Sequence, residues 1–359
     1  MRVCYFGQYD PQYPRNLVIR KGLAANGVEV AECRISGAYG IGQYRALVRR
    51  MSEMRDQFDV LIVAEHNQFA VPLARLFASR RRVPLVFDAL TSAYDSDVVD
   101  RQLVRPDTWR AKRLFWMDRI AMQAADVILV DTDQHRQYFG HVFGVHQDKI
   151  AVVPVGADND IYYPQPTGAT RPGCCRVLFW GTYIPLHGVA TILYAASLLR
   201  EQAGISLELI GDGQMYQAMR NLAQEWHLPA TLFRPRLPQI DLASAIRQAD
   251  VCLGIFGDTA KAKRVVPNKV YQALASRKPV VTGDTLAIRE LFVPERHLGV
   301  VPLADGVALA DVLLDMQRDR NRRELLAAQG YQWYCEAFTP ERIGHLMVAV
   351  LEKTVSARG

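Results

Sequence analysis

The chain has 359 residues, half of them apolar and 22% charged, with 43 Lys and Arg against 37 Asp and Glu for a net charge of +6. That length supports two domains with cores of their own, and the composition excludes a disulfide-stapled miniprotein, a fibre or a disordered chain. The mild basic excess does not fit a nucleic-acid binder, and the longest apolar runs are strand-sized, too short to cross a bilayer.

Short β-branched runs alternate with helix-length segments from end to end, which predicts parallel sheets built from strand-helix units and an α/β fold. The first half offers RVCYFG from Arg2, VEVAECRI from Val28, VLIVA from Val60, PLVFDA from Pro84, VILVDT from Val127 and IAVVPVG from Ile150. A Pro- and Gly-rich stretch without periodicity, Tyr163 to Gly173, reads as a linker. The second half repeats the rhythm with RVLFWG from Arg176, SLELIG from Ser206, ATLFRP from Ala230, VCLGIF from Val251, PVVTGD from Pro279 and GVVPL from Gly299. Two domains follow, residues 1–165 and 172–335, with 336–359 left for a final helix. That helix, Pro340 to Ser356, carries Ile343, Leu346, Met347, Val350 and Leu351 on one stripe and should dock on a surface.

Several segments between the strands bear on chemistry. Three D-x-D triplets occur, Asp95 to Asp97, Asp131 to Asp133 and Asp158 to Asp160. Such pairs can hold a divalent metal, but their number shows how common the pattern is, and capping accounts for Asp131 and Asp133 at a strand-to-helix junction. With no histidines at ligand spacing, no metal site is expected. Ile210-Gly211-Asp212-Gly213 follows a strand and precedes a helical segment, where backbone amides could face a phosphate or could simply form a common turn. The loop from Gly257 is the stronger signal. Only eight of the basic residues are Lys, yet Lys261, Lys263 and Lys269 fall together there with Arg264, before a helix starting near Asn268. Cations beside a helix amino terminus make a diphosphate site. The basic clusters Arg80 to Arg82 and Arg318 to Arg323 read as solvated helix ends, with contact to an anionic membrane surface as the alternative.

No P-loop, complete G-x-G-x-x-G, G-x-S-x-G or H-E-x-x-H is present, which argues against an NTPase, a dinucleotide oxidoreductase, a serine hydrolase or a zinc protease. The six cysteines form no C-x-x-C pair and MRVCYFGQYDPQ has no apolar signal core, so a reducing cytoplasm is expected, with the inner membrane face as a place of peripheral contact.

Taken as a set, VVPVGAD (Val152 to Asp158), FWGTYIPLHG (Phe179 to Gly188), LELIGDG (Leu207 to Gly213), QADV (Gln248 to Val251) and NKVYQALASRKPVV (Asn268 to Val281) occur in a familiar order and spacing. From about Asp126 to Leu291 the chain resembles the retaining glycosyltransferases of family 4, also called group 1. The resemblance implies the GT-B fold, two Rossmann-like domains facing each other across a cleft with the last helix crossing back to the first. It implies a UDP-, GDP- or TDP-linked sugar as donor on the second domain, a hydroxyl acceptor on the first, transfer with retention, and neither metal nor cofactor. Gly181, Gly211 and Gly213 would line the donor.

The chain also departs from the family. Thr182 and His187 stand where the pattern G-R-x-x-x-x-K-G has its Arg and Lys. Lys261, Lys263, Arg264 and Lys269 are expected to replace those cations, with Asn268 at the helix start and Lys269 as a catalytic group. Gln272 occupies the place of the Glu that holds the donor ribose, and its amide oxygen can still accept a hydrogen bond. Arg264 takes the place of the family's other Glu, with Asp258 as an alternative carboxylate. Asp88 replaces a cleft His and would orient a hydroxyl as the second catalytic group, or cap a turn. Arg236 and Leu237 match the segment framing the nucleobase. Tyr13, Arg15, Asn16, Glu65 and His66 would meet the acceptor, against turn formation around Pro11 and Pro14. Two other functions fit the same motifs: a nucleotide-sugar 2-epimerase, and a non-catalytic subunit that binds nucleotide sugar.

Overall fold

The computed structural model describes residues 1–37, 40–54, 57–165, 173–228 and 231–357, without the side chains of Thr231 and Leu232. The chain divides into two compact units, Met1–Gly156 with Phe338–Gly359, and Ala157–Ala337. Most of the predicted linker, residues 166–172, lies outside the described residues.

Unit 1 carries β1 (Arg2–Gly7), α1 (Pro14–Ala25), β2 (Glu29–Arg34), α2 (Ile41–Glu53), β3 (Val60–Val63), α3 (Val71–Arg81), β4 (Leu85–Asp88), α4 (Trp109–Ala124), β5 (Val127–Val130), α5 (Asp133–Phe143) and β6 (Ile150–Val152). Its strands pair in parallel in the order β2-β1-β3-β4-β5-β6. β3 and β4 are buried at every position, as strands covered by helices on both faces must be.

Unit 2 repeats the plan with β7 (Cys175–Trp180), α6 (Val189–Leu198), β8 (Ile205–Ile210), α7 (Tyr216–Glu225), β9 (Thr231–Arg234), α8 (Gln239–Gln248), β10 (Val251–Leu253), α9 (Asn268–Ala275), β11 (Val280–Gly283), α10 (Leu286–Leu291), β12 (Gly299–Val301), α11 (Gly306–Arg318) and α12 (Arg320–Ala337). The strand order is β12-β11-β10-β7-β8-β9, again parallel. Each of the apolar runs named from the sequence contains a strand. The order matters for function. In unit 1 the chain reverses direction across the sheet between β1 and β3, and in unit 2 between β7 and β10. Open α/β sheets bind their ligands outside the strand carboxyl ends at such switch points.

The chain re-enters unit 1 through α13 (Pro340–Ser356), which packs along α1. The buried line on α13 is Ile343, Gly344, Met347, Leu351 and Thr354. This narrows the stripe expected from the sequence: Leu346 faces solvent and Val350 is half-buried. Glycine sets the helix separation. A Cβ on Gly344 would stand 2.0 Å from the Gly22 carbonyl oxygen, and one on Gly22 would stand 2.2 Å from the Pro340 carbonyl oxygen. Both clashes are with backbone. Gly344→Ala should therefore cost about 1–3 kcal/mol and loosen α13. Limited trypsin digestion would show faster cleavage at Arg342 and Lys353; an unchanged rate would mean that the two helices tolerate wider spacing.

The two basic clusters sit at helix ends, as the sequence suggests, with one correction. Arg323 is buried, and its Nη1 donates to the carbonyls of Met316 and Gln317, closing the carboxyl end of α11 instead of facing solvent.

Candidate functional site

At the unit 2 switch point the β7–α6 and β10–α9 loops are joined backbone to backbone. Phe256 N donates to the His187 carbonyl and Gly257 N to that of Leu186, each at 3.2 Å. A small apolar cluster of Ile184, Leu186, Ile255 and Ala262 pins the two loops from beneath. Gly181, at φ +141°, ends β7, and a side chain there would enter a space already shared by two groups. His187 Cε1 lies 3.0 Å and Lys269 Nζ 3.1 Å from the point where its Cβ would stand. His187 Nδ1 donates to the Thr182 carbonyl, so the ring is held by its own loop.

Lys269 is the unusual group. It is 5% exposed, and its Nζ stands 4.0 Å above the Phe179 ring centroid with no hydrogen-bond partner among the described residues. Burial pushes its ammonium well below the usual lysine range. A buried amine without a counter-charge, beside a glycine cradle at strand ends, is arranged to receive an anion. Helix α9 adds its amino terminus, since its N-cap, Pro267, offers no side-chain cap.

The other predicted cations are distributed differently. Lys261 is buried and Arg264 half-buried in the same loop. Lys263 is exposed and paired with Asp258 at 2.6 Å, so these two neutralise each other at the surface. Asn268 is half-buried at the start of α9 and Thr182 is exposed. Gly211 and Gly213 serve backbone packing: their Cβ atoms would stand 2.0 Å from the Gly181 oxygen and 2.7 Å from Tyr183 N, and the Gly211 amide is taken by the Arg234 carbonyl at 2.9 Å. Arg236 is exposed. Leu237 lines an open groove of about 440 Å³ between β7, β8 and α8, whose lining includes none of Gly181, His187 and Lys269.

Gln272 is engaged at both ends. Its Oε1 accepts from Trp180 Nε1 at 2.8 Å and its Nε2 donates to Tyr162 OH at 3.2 Å. The oxygen expected to hold a ribose thus already carries one hydrogen bond, and its second lone pair is what it retains for a ligand.

In unit 1, Arg15 and Asp88 have no exposed surface. Arg15 donates from Nε and Nη2 to the two Asp88 oxygens at 2.9 and 3.1 Å, and from Nη1 to the Val153 and Pro154 carbonyls at 2.6 and 2.9 Å. Asn16 is also buried, accepting from Tyr5 OH and donating to the Asp10 carbonyl. Complete burial and saturated partners make these three a framework beneath the acceptor candidates, not surfaces that an acceptor touches in this structure. Asp88 likewise caps no turn; it holds Arg15. The candidates that reach solvent are Tyr13, half-buried, and His66, exposed, with ring centroids 6.3 Å apart, in the loops after β1 and β3 that flank the switch point. His66 takes a left-handed φ of 58°. Beneath it Glu65 is 3% exposed, and its Oε2 has no hydrogen-bond partner among the described residues and lies 3.9 Å from His66 Nε2. Burial, reinforced by the Asp88 charge and opposed by Arg15, raises the Glu65 carboxyl well above the usual range.

Sequence reading assigned no role to Phe179, Trp180, Tyr162 and Tyr5: the first two open the FWGTYIPLHG motif but read as buried strand, and the other two lie in a strand and a loop without a motif. It also missed the buried dyad of Asp131 and His135 Nδ1. The expectation that Asp131 caps α5 is corrected: Thr132 is the cap, its Oγ1 accepting from His135 N at 3.1 Å. Among the described residues no three His, Cys, Asp or Glu side chains are grouped to hold a metal ion.

Comparison with known proteins gives this geometry a context. The profile of the "Glycosyl transferase 4-like domain" family matches residues 2–156, and that of "Glycosyl transferases group 1" matches residues 174–319. A D-inositol 3-phosphate glycosyltransferase of Nocardia farcinica is 27% identical over 76% of this chain. An MMP alpha-(1->4)-mannosyltransferase of Mycolicibacterium hassiacum is 25% identical over 66%. The aligned region spans 63% and 56% of those relatives' own lengths. Among solved structures, Anabaena HepE in complex with UDP covers 98% of this chain and 100% of its own at TM-score 0.73 and 13% identity. Sucrose-phosphate synthase of Thermosynechococcus elongatus covers 99% of each chain at TM-score 0.73 and 14% identity. Structural likeness at that identity establishes the fold, which is GT-B.

Proposed function

This chain belongs to the group 1 glycosyltransferases of family 4, and from that premise we propose that unit 2 binds a nucleotide-diphosphate sugar and that an acceptor hydroxyl held by unit 1 attacks the sugar. The observation that carries the reading is Lys269, a buried and unpartnered amine over Phe179, beside Gly181 and His187 at the unit 2 switch point. A diphosphate placed there would supply the missing counter-charge. As the bond from the sugar to the diphosphate breaks, negative charge grows on the leaving oxygens. Lys269 and the α9 amino terminus are positioned to stabilise that charge without reorganising.

In this arrangement a cation from α9 takes over from the family's usual Arg and Lys at positions 182 and 187. Gln272, steadied by Trp180 and Tyr162, would meet the donor ribose through its remaining lone pair. Tyr13, His66 and the raised carboxyl of Glu65 would meet the acceptor. Retention and metal independence are part of this proposal and rest on the family resemblance. UDP is the first nucleotide to try because HepE has been crystallised with UDP and with UDP-glucose. Placement in a reducing cytoplasm is supported by six unbridged cysteines. No described helix is long and apolar enough to cross a membrane.

The test is a melting panel with UDP, GDP, TDP and their sugars, followed by assay of nucleoside diphosphate release with and without sugar and lipid acceptors. A ligand at a hundred times its dissociation constant should stabilise the chain by about 2.7 kcal/mol. Stabilisation by one nucleotide sugar together with acceptor-dependent release is expected. Binding without release for any acceptor would support a non-catalytic subunit, and acceptor-independent turnover would support the epimerase.

A further inference from the structure

We propose that the outer face of α4 in unit 1 docks on an anionic bilayer surface. Trp109 is 73%, Trp116 54% and Ile120 50% exposed. Together with Arg113 they follow the spacing of three and four residues that makes one helical stripe. Leu103, 54% exposed, stands just ahead of the helix. Exposed tryptophans at that spacing are not explained by the unit 1 core, whose apolar cluster lies on the other side of the helix through Ala121 and Met122.

Charge identifies the occupant. Between Trp109 and Ala124 the basic residues are Arg110, Lys112, Arg113 and Arg119, and the one acid is Asp118. Asp118 has no exposed surface and is held inside, accepting from Ser92 Oγ at 2.7 Å and from the Tyr94 amide at 2.8 Å. The solvent side of the helix is therefore purely basic. The Arg113 guanidinium lies 5.7 Å from the Trp109 ring centroid, and that of Arg119 5.4 Å from the Trp116 ring centroid. Tryptophan and isoleucine interleaved with Arg and Lys suit a helix lying in the interface plane, with rings at headgroup depth and cations on lipid phosphates. A protein partner would instead favour an interface centre depleted of lysine. The basic clusters singled out from sequence at Arg80 to Arg82 and Arg318 to Arg323 have no comparable exposed apolar stripe.

The test is sedimentation of the full chain with vesicles of phosphatidylcholine alone or with a third phosphatidylglycerol, with tryptophan emission read in parallel. The expected result is binding to the anionic vesicles only, weakened by salt, with a blue shift in emission. Trp109→Ser/Trp116→Ser should lose at least tenfold in binding. Arg110→Gln/Lys112→Gln, which leaves every ring in place, should lose roughly 25-fold, about fivefold per cation. An Ile41→Ser/Val48→Ser variant on α2, another helix with exposed apolar residues, should bind as the unaltered chain does. Equal binding to neutral vesicles, loss in the α2 variant alone, or self-association abolished by the tryptophan variant would each overturn the proposal.

Discussion

Lys269→Met should weaken nucleoside diphosphate binding by about a hundredfold or more while leaving the chain as stable as before, or more so. The two effects separate because this lysine contributes nothing to an empty site except a desolvated amine. Its Nζ has no hydrogen-bond partner among the described residues, and near it lie the Phe179 ring, Gly181 and His187. Methionine fills nearly the same volume without a charge to bury. Once a diphosphate is present, however, the amine is the cation nearest the cradle, and losing one member of a desolvated charge pair leaves the other unpaired.

The stability side has its own pH signature. The folded-state pKa of Lys269 is depressed by burial, whereas the unfolded chain titrates near about 10.4. Between those values the unfolded state binds more protons, so the stability of the unaltered chain rises with pH across that window. The advantage of Lys269→Met should be largest below the depressed value and shrink toward zero above the ordinary lysine range. Chemical denaturation of both chains across pH measures it. A methionine variant that melts lower at every pH would show that the amine is paired in a way this account omits.

The second large effect concerns unit 1. Arg15→Ala should destabilise that unit by about 3–5 kcal/mol, because it strands a fully buried Asp88 carboxylate and two carbonyls. Burial opposes the charge on Arg15, but the Asp88 carboxylate and its hydrogen bonds outweigh that cost and hold the guanidinium above the usual arginine range. Val153 and Pro154, which Arg15 also binds, lie just before Gly156, where the chain leaves the unit. Arg15→Met/Asp88→Leu should recover much of the loss, since an apolar pair of similar volume leaves no charge unpaired. Lysine is not an equivalent replacement at a bidentate site. Denaturant melts of the two singles and the double give the coupling; additive losses would mean that the pair acts by packing alone.

How far the sequence could be read follows from what each feature depends on. The strands were legible because a buried parallel strand must be nearly all apolar, as VLIV at Val60 and LVFD at Leu85 are. The family was legible because several short motifs recur in order. The lysine loop was legible as charge, but charge alone could not separate Lys269, turned inward on Phe179, from Lys263, which faces solvent with Asp258. Side-chain partnership across long sequence separations left no local trace. Trp180 and Gln272 are 92 residues apart, and Arg15 and Asp88 are 73 apart. The stripe on α13 was over-read at Leu346 because periodicity gives a face but not its width, and Gly22 and Gly344 narrow that contact to a line.

The most direct test of the central claim is calorimetric titration of the unaltered chain with UDP, GDP and TDP, each against its own nucleoside, in two buffers of different ionisation heat. A diphosphate that pairs with Lys269 must raise the depressed pKa of that amine, so proton uptake should accompany binding across the window between the depressed folded-state value and the ordinary lysine range, with affinity falling as pH rises through it. The account predicts that one nucleoside diphosphate binds at least tenfold more tightly than its nucleoside, takes up a proton, and loses both properties in Lys269→Met. Equal affinity for nucleoside and diphosphate, or a proton uptake unchanged in that variant, would contradict it.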